Sequence, residues 1–341
     1  MKNLELQNEL ERCAKCGQCR SVCPVFIALK DEKLVARGRL ALIQAESNDS
    51  KNTYKNLAKI IDTCLMCRRC EENCPSLVNT EEIFKSQRLR MAKEKGLPLL
   101  LRFGFRYILP HRWLYNIVLR AAYLFHRFLN KQVTSFPVRH LPLYFANLLH
   151  RIPELAPKSA LESIEHRANS KGNSTLHAPR STPVSLFIGC AANYIYPEII
   201  NQITAILKHH KIPYTIPSQQ VCCGFPALLS GDEQTAQKLM KINLKTFNTG
   251  TIITVCPTCN RMLKEMGNGE WGTGNKIVDA MEFLQSKLPE FRIPHSALRT
   301  IYHLPCHSTG TKVPEIIKSI LKATTDYQET ESDLCCGGGG L

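Results

Sequence analysis

At 341 residues the chain is long enough for about two domains with buried cores. Its 44% hydrophobic and 21% charged residues, with 19 Pro and 18 Gly, exclude a disordered or fibrous chain. The net charge of +15 is uneven: residues 97–152 hold eight Lys or Arg and no acid, together with 11 of the 25 aromatic residues.

Sixteen cysteines would suit a disulfide scaffold only in an oxidising compartment, and no basic start, apolar core and cleavage site of a secretory signal is seen. The expectation is a cytoplasmic protein whose thiols are metal ligands or redox groups. No uncharged run approaches the ~20 apolar residues of a membrane span.

The first zone, 1–96, is read as a helical domain, with helix patterns over Leu34–Glu46 and Glu81–Glu94. It carries Cys13-x-x-Cys16-x-x-Cys19-x-x-x-Cys23-Pro24 and, with the same spacing, Cys64-x-x-Cys67-x-x-Cys70-x-x-x-Cys74-Pro75. Three thiolates of such a run hold three corners of a 4Fe-4S cube, and the fourth cysteine crosses to the other cluster in two-cluster ferredoxins. That rule assigns Cys13, Cys16, Cys19 and Cys74 to one cube and Cys64, Cys67, Cys70 and Cys23 to the other. Structural zinc is the alternative, but it typically uses two pairs of cysteines, and each run has one more than a pair. Lys15, Arg20, Arg68 and Arg69 either offset thiolate charge or are simply solvated.

The second zone, 97–152, is basic and aromatic. At 100° per residue, Arg112, Asn116, Arg120, Tyr123, Arg127 and Lys131 share one arc, with Trp113, Leu114, Ile117, Val118, Ala121, Leu124, Phe125 and Phe128 opposite. Two readings stay open: a helix lying apolar side down among lipid headgroups, or one packed on the cluster domains with its arginines in water.

Residues 153–183, rich in Pro, Ser, Gly and Asn, are read as a linker. From 184 to 341, strand patterns at 184–189 and 251–255 alternate with helical ones such as Pro197–His210, which predicts an α/β domain. An internal echo runs through it. Strand, Cys190, Pro197-Glu198-Ile199-Ile200 and Cys222-Cys223-Gly224 recur as strand, Cys306, Pro314-Glu315-Ile316-Ile317 and Cys335-Cys336-Gly337, suggesting two pseudo-repeats with the second starting near 299.

Cys190, Cys222, Cys223, Cys256 and Cys259 make a five-thiol set, and Cys306, Cys335 and Cys336 account for the remaining cysteines. Adjacent cysteines bridge each other only with strain, but both can face one metal centre where a following glycine permits the turn. Together with Ala36–Ile43 and Phe187–Pro197, these blocks resemble the glycolate oxidase iron-sulfur subunit family, within a wider group that includes the anaerobic glycerol-3-phosphate dehydrogenase C subunit and heterodisulfide reductase.

The resemblance implies an α+β multidomain protein: a helical two-cluster ferredoxin domain followed by an α/β cysteine-rich (CCG) domain. It implies a further, non-cubane iron-sulfur centre on the five-thiol set. Its partner would be a flavin-bearing 2-hydroxyacid dehydrogenase subunit, with electrons leaving to a quinone or other acceptor and a peripheral position on the inner face of the cytoplasmic membrane as one expectation. The second block departs from the family, since only five residues follow Cys336 where a second CysxxCys is expected. A site at Cys306, Cys335 and Cys336 is therefore expected to be incomplete, whether through a fragment, a split gene or three thiols serving alone.

Two other functions fit less well. A heterodisulfide-reductase-like thiol/disulfide redox subunit would need the second block whole. A zinc-bearing nucleic-acid binder would use the high isoelectric point, near 9.2, yet the clustered charge sits among aromatics at helical spacing, so no nucleic acid is expected. Gly267-x-Gly269-x-x-Gly272 matches a dinucleotide fingerprint on paper but follows a helix pattern rather than a strand, and is read as a loop.

Overall fold

A computed structural model describes residues 3–48, 56–133, 156, 158–164, 184–247, 250–267, 274–288 and 295–329, with side chains of 3, 4, 48, 125–133, 266 and 267 left aside. The chain divides into two compact units. One comprises Met1–Leu99, Pro226–Ala236 and Glu290–Leu341, and the other Leu100–Phe225 and Gln237–Pro289. Residues from 290 onward thus cluster with the N-terminal zone, whereas the sequence pattern grouped them with 184–289.

The first unit is mainly helical, as its patterns predicted. Asn79 caps the helix Thr80–Lys95 by accepting the Glu82 amide at 3.1 Å, and Glu81 and Glu82 sit in its first turn, where the helix dipole favours acids. Its face carries Ile83, Phe84 and Met91 into a core shared with Leu40, Ile43, Leu57 and Ile61. The helix Ala36–Asn48 supplies two of these and, just before them in the chain, the fully buried Arg39.

Two arginines tie this core to the second cysteine run. Arg39 donates to the Ile60 carbonyl at 3.0 Å and the Thr63 hydroxyl at 2.8 Å. Arg88 donates to four carbonyls, those of Leu229 (2.9 Å), Ile61 (2.9 Å), Asp62 (3.0 Å) and Cys64 (2.6 Å).

The same unit holds a separate two-stranded parallel sheet, Ser296–Ile301 with Thr325–Gln328, joined by the helix Val313–Thr324. Leu298 and Ile301 are exposed on it. Parallel sheets are ordinarily covered on both faces.

The second unit is built on a four-stranded parallel sheet, β1 (Val184–Phe187), β2 (Tyr214–Thr215), β3 (Thr251–Thr254) and β4 (Lys276–Asp279), in the order β2-β1-β3-β4. Leu186 of β1 and Ile253 of β3 pack with Ile203 and Leu207 of the helix Pro197–His209 and with Phe283 of the helix Ala280–Lys287. The strand at 251–255 and the helix from Pro197 fall where the sequence placed them, because buried β-branched runs and a proline at the first helical turn are strong local signals.

The stretch read as a linker is not solvated throughout. Residues 160–164 form a helical turn, and Ala160 and Leu161 are buried with Ile188, Ala192 and Ile200. Two apolar side chains outweigh the polar composition around them. The helix Pro257–Gly267 ends at the first glycine of the dinucleotide-like pattern, whose other positions lie outside the described residues.

Replacing Arg88 by Ala removes a donor from four carbonyls, those of Leu229 and Ile61 in buried surroundings. Arg88→Ala is expected to cost about 3 kcal/mol in urea unfolding at neutral pH, and Arg88→Lys, which cannot reach all four, a smaller but clear loss.

Candidate iron-sulfur sites

The two cysteine runs fold alike. In each, the residue before the second cysteine and the residue after it take the left-handed conformation: Lys15 (φ 56°) and Gly17 (φ 87°) in the first run, Met66 (φ 52°) and Arg68 (φ 62°) in the second. Three of the four are not glycine and carry the strain of that region. Alternation of right- and left-handed residues turns successive amides to one side and makes a concavity suited to an anion, as at many iron-sulfur sites.

Short helices follow, Gln18–Val22 and Arg69–Glu72, and these pack on each other. The runs are thereby set face to face. Cys64, Cys67, Cys70 and Cys23 line one pocket of about 430 Å³, open to solvent. Cys13, Cys16, Cys19 and Cys74 line a second of about 380 Å³, which Cys70 also borders. Four soft thiol donors around such a hollow suit an iron-sulfur cluster.

Burial acts on the protonation of three of these thiols. It pushes Cys64, Cys70 and Cys19 up; Arg39 and Arg88 oppose the rise at Cys64, the Thr80 hydroxyl at 3.2 Å opposes it at Cys70, and Arg37 opposes it at Cys19. Of the basic residues singled out within the runs, Arg20 pairs with Glu32 at 3.3 Å, and Arg68 with Glu71 at 3.0 Å and Glu81 at 3.2 Å. Carboxylates pair with that charge, while Arg37, Arg39 and Arg88, all distant in sequence from the thiols they influence, act on Cys19 and Cys64. Of the predicted group, Arg69 acts on a thiol, opposing the rise at Cys67.

Cys306 stands in the turn Cys306–Ser308 with its thiol against that of Cys67, and this contact, with burial, pushes Cys67 well up. The sequence grouped Cys306 with Cys335 and Cys336, but these two lie outside the described residues.

In the second unit the five-thiol set comes together completely. The thiols form a row of contacts, Cys190 to Cys222, Cys222 to Cys223, Cys223 to Cys259 and Cys259 to Cys256. Cys222 and Cys259 hold Cys223 down at about 5, and Cys259 holds Cys256 down at about 6. The donors are raised in turn. Cys222 is pulled down by Cys190, but its bond to Cys223 and burial prevail and push it up to about 12. The row thus favours thiolate at Cys223 and Cys256. Among the described residues no three His, Cys, Asp or Glu side chains stand in the arrangement of a single-ion site.

Local structure fixes this row. Cys190 opens the turn after β1, and Cys256 and Cys259 begin the helix after β3, so both lie at the C-terminal ends of adjacent parallel strands, where open α/β sheets place their ligands. Two buried amides hold the segment bearing Cys222 and Cys223. Gln220 accepts the Ile188 amide at 2.8 Å and donates to Pro217 at 2.9 Å; Asn243 accepts the Val221 amide at 2.9 Å and donates to the Cys222 carbonyl at 3.1 Å. Sequence reasoning missed both, since a lone Gln or Asn carries no spacing signal. Arg112, Tyr115, Asn193 and Tyr194 line the pocket of about 380 Å³ beside Cys190 and Cys222.

Comparison with known proteins adds to this geometry. Residues 9–78 match the 4Fe-4S dicluster domain family, and residues 184–264 and 300–341 match the cysteine-rich (CCG) domain family. The chain is 26% identical over 363 residues to the probable glycolate oxidase iron-sulfur subunit of Bacillus subtilis, covering 98% of this chain and 80% of that protein. It is 22% identical to the glycolate oxidase iron-sulfur subunit of Escherichia coli, covering 99% and 81%. It is 30% identical over 173 residues to lactate utilization protein A of Oceanobacillus iheyensis, covering 46% and 71%.

The chain belongs to the glycolate oxidase iron-sulfur subunit family. It is an iron-sulfur protein with an electron-transfer role, as its dicluster domain and these relatives bear out. Against a fumarate reductase (CoM/CoB) polypeptide of Methanothermobacter marburgensis it spans 59% of the relative's length, at 23% identity. No solved structure matches the chain.

Gly189 precedes Cys190 at φ +70°, and a Cβ there would lie 2.9 Å from the Cys259 sulfur. In this iron-sulfur protein Gly189→Ala is expected to lower stability by about 1–3 kcal/mol in urea unfolding. It is also expected to make the buried Cys259 thiol reactive toward a maleimide in the folded, metal-free chain; an unchanged midpoint with an unreactive Cys259 would show that the close approach is not needed.

Proposed function

We propose that this subunit accepts electrons from a flavin-bearing 2-hydroxyacid dehydrogenase partner, of the glycolate or lactate class, and passes them to a quinone or other acceptor at the cytoplasmic face of a membrane. Cys13, Cys16, Cys19 and Cys74 hold one 4Fe-4S cube, Cys64, Cys67, Cys70 and Cys23 hold the other, and the five-thiol set of the second unit holds a further iron-sulfur centre. The observation that carries the reading is the pairing of thiols in the two pockets, each lined by three cysteines of one run and the fourth of the other. The names of the relatives, glycolate oxidase and lactate utilization, support the substrate class.

Bound clusters supply reversible one-electron chemistry, and the protein's part is position and electrostatics. The left-handed residues of each run aim the loop amides, Arg39 and Arg88 favour the thiolate form at Cys64, and buried Phe84 and Thr80 line the pocket of Cys64, Cys67, Cys70 and Cys23. At the five-thiol set, Gln220 and Asn243 hold the Cys222 and Cys223 backbone so that both sulfurs face one centre.

Anaerobic purification should yield about eight iron and eight sulfide for the two cubes, with further iron from the third centre. Cys74→Ser and Cys23→Ser are each expected to lose one cube's paramagnetic signal after reduction and keep the other, and Cys222→Ser to lose iron while keeping both cube signals. Zinc without sulfide in the wild-type protein would overturn the reading.

A further inference from the structure

The helix Arg112–Val133 sits the opposite way round from an ordinary surface helix, whose apolar stripe faces the core. Its polar arc is bound to the second unit. Glu162 accepts from Asn116 at 3.1 Å and from Arg120 at 2.9 Å, the Tyr194 hydroxyl donates to Asn116 at 2.7 Å, and Arg112 donates to the Ser218 carbonyl. The rings of Tyr115 and Tyr194 meet edge to face at 4.9 Å. These contacts fix the rotation of the helix about its axis.

The apolar arc is consequently turned outward. Trp113 is 65% exposed, Ile117 53% and Leu124 63%; just upstream, Leu100 is 84% exposed, and Phe103 and Tyr107 are more than half exposed. Neither sequence reading describes this arrangement fully, because the arginine side of the helix is the one that packs on protein.

Exposed apolar surface of this extent marks a docking face, and its charge selects the occupant. Arg102 and Arg106 are exposed beside it, while residues 97–152 contain no acid at all. A protein partner is ordinarily met by a rim of mixed charge and polar groups. A surface of one sign suits anionic phosphates, a Trp and a Tyr among the exposed residues suit the level of the headgroups, and a basic amphipathic helix is the form that lies in that plane. No described helix is long and apolar enough to cross a membrane.

We infer that the apolar strip from Leu100 to Leu124 lies in the headgroup layer of an anionic membrane, with Arg102 and Arg106 against lipid phosphates. The inference rests on the reading above for its purpose, since it would bring the subunit to an acceptor dissolved in the bilayer.

The test is flotation of the full, anaerobically purified chain with vesicles of phosphatidylcholine and phosphatidylglycerol (3:1), with iron counted in the same samples. The wild type is expected to float with these vesicles at low salt and to bind at least tenfold less to pure phosphatidylcholine or in 0.5 M salt. The exposed-face variants Trp113→Gln/Leu124→Gln and Arg102→Glu/Arg106→Glu are each expected to lose at least tenfold of the binding with iron content unchanged. Equal binding by the variants and the wild type, or no wild-type flotation at low salt, would overturn it. So would a wild-type dimer, seen by light scattering without lipid, that the first variant makes monomeric, because a second copy would then cover the face. Vesicle binding by a chain that lacks iron would sink the electron-transfer reading and leave this surface standing.

Discussion

Sulfur atoms gathered at one point repel one another once they ionise, and burial makes the ionised form costlier still. Three groups of cysteines in this protein face that constraint. In the first unit, Arg39, Arg88 and Arg37 oppose the rise that burial imposes on Cys64 and Cys19. In the second, the thiols share protons along a row that favours thiolate at Cys223 and Cys256. Both arrangements favour a positively charged occupant that would replace the shared protons, which is the property an iron-sulfur site requires.

Holding thiols in such arrangements demands backbone that ordinary elements do not provide. The paired runs use left-handed residues, strained at Lys15, Met66 and Arg68. The five-thiol set uses strand ends, Gly189 and the buried amides of Gln220 and Asn243. The strain is held by the cores beneath, where Arg88 donates to four carbonyls from two distant stretches of chain. Site and stability are therefore coupled through the same residues. A substitution at Arg39 or Arg88 acts on both, because each supports the core and biases the thiol beside it.

The helix Arg112–Val133 obeys a different logic. Its hydrogen-bonding groups are satisfied by Glu162, Tyr194 and Ser218, and its apolar side is left to whatever lies outside. The buried Ala160 and Leu161 hold the turn that presents Glu162. Glu162 thus helps to orient the helix face that carries Trp113, Ile117 and Leu124.

The sequence by itself determined the two cysteine runs, the five-thiol set and the main elements around them, since ligand spacing, buried β-branched strands and a proline-opened helix are local properties. The unit boundaries, the approach of Cys306 to Cys67, the arginines that act on the thiols and the outward turn of the amphipathic helix were decided only by the tertiary structure. Spacing records which residues share a loop, whereas these features depend on which distant side chain satisfies a buried carbonyl, thiol or carboxylate, and such pairings leave no periodic trace along the chain.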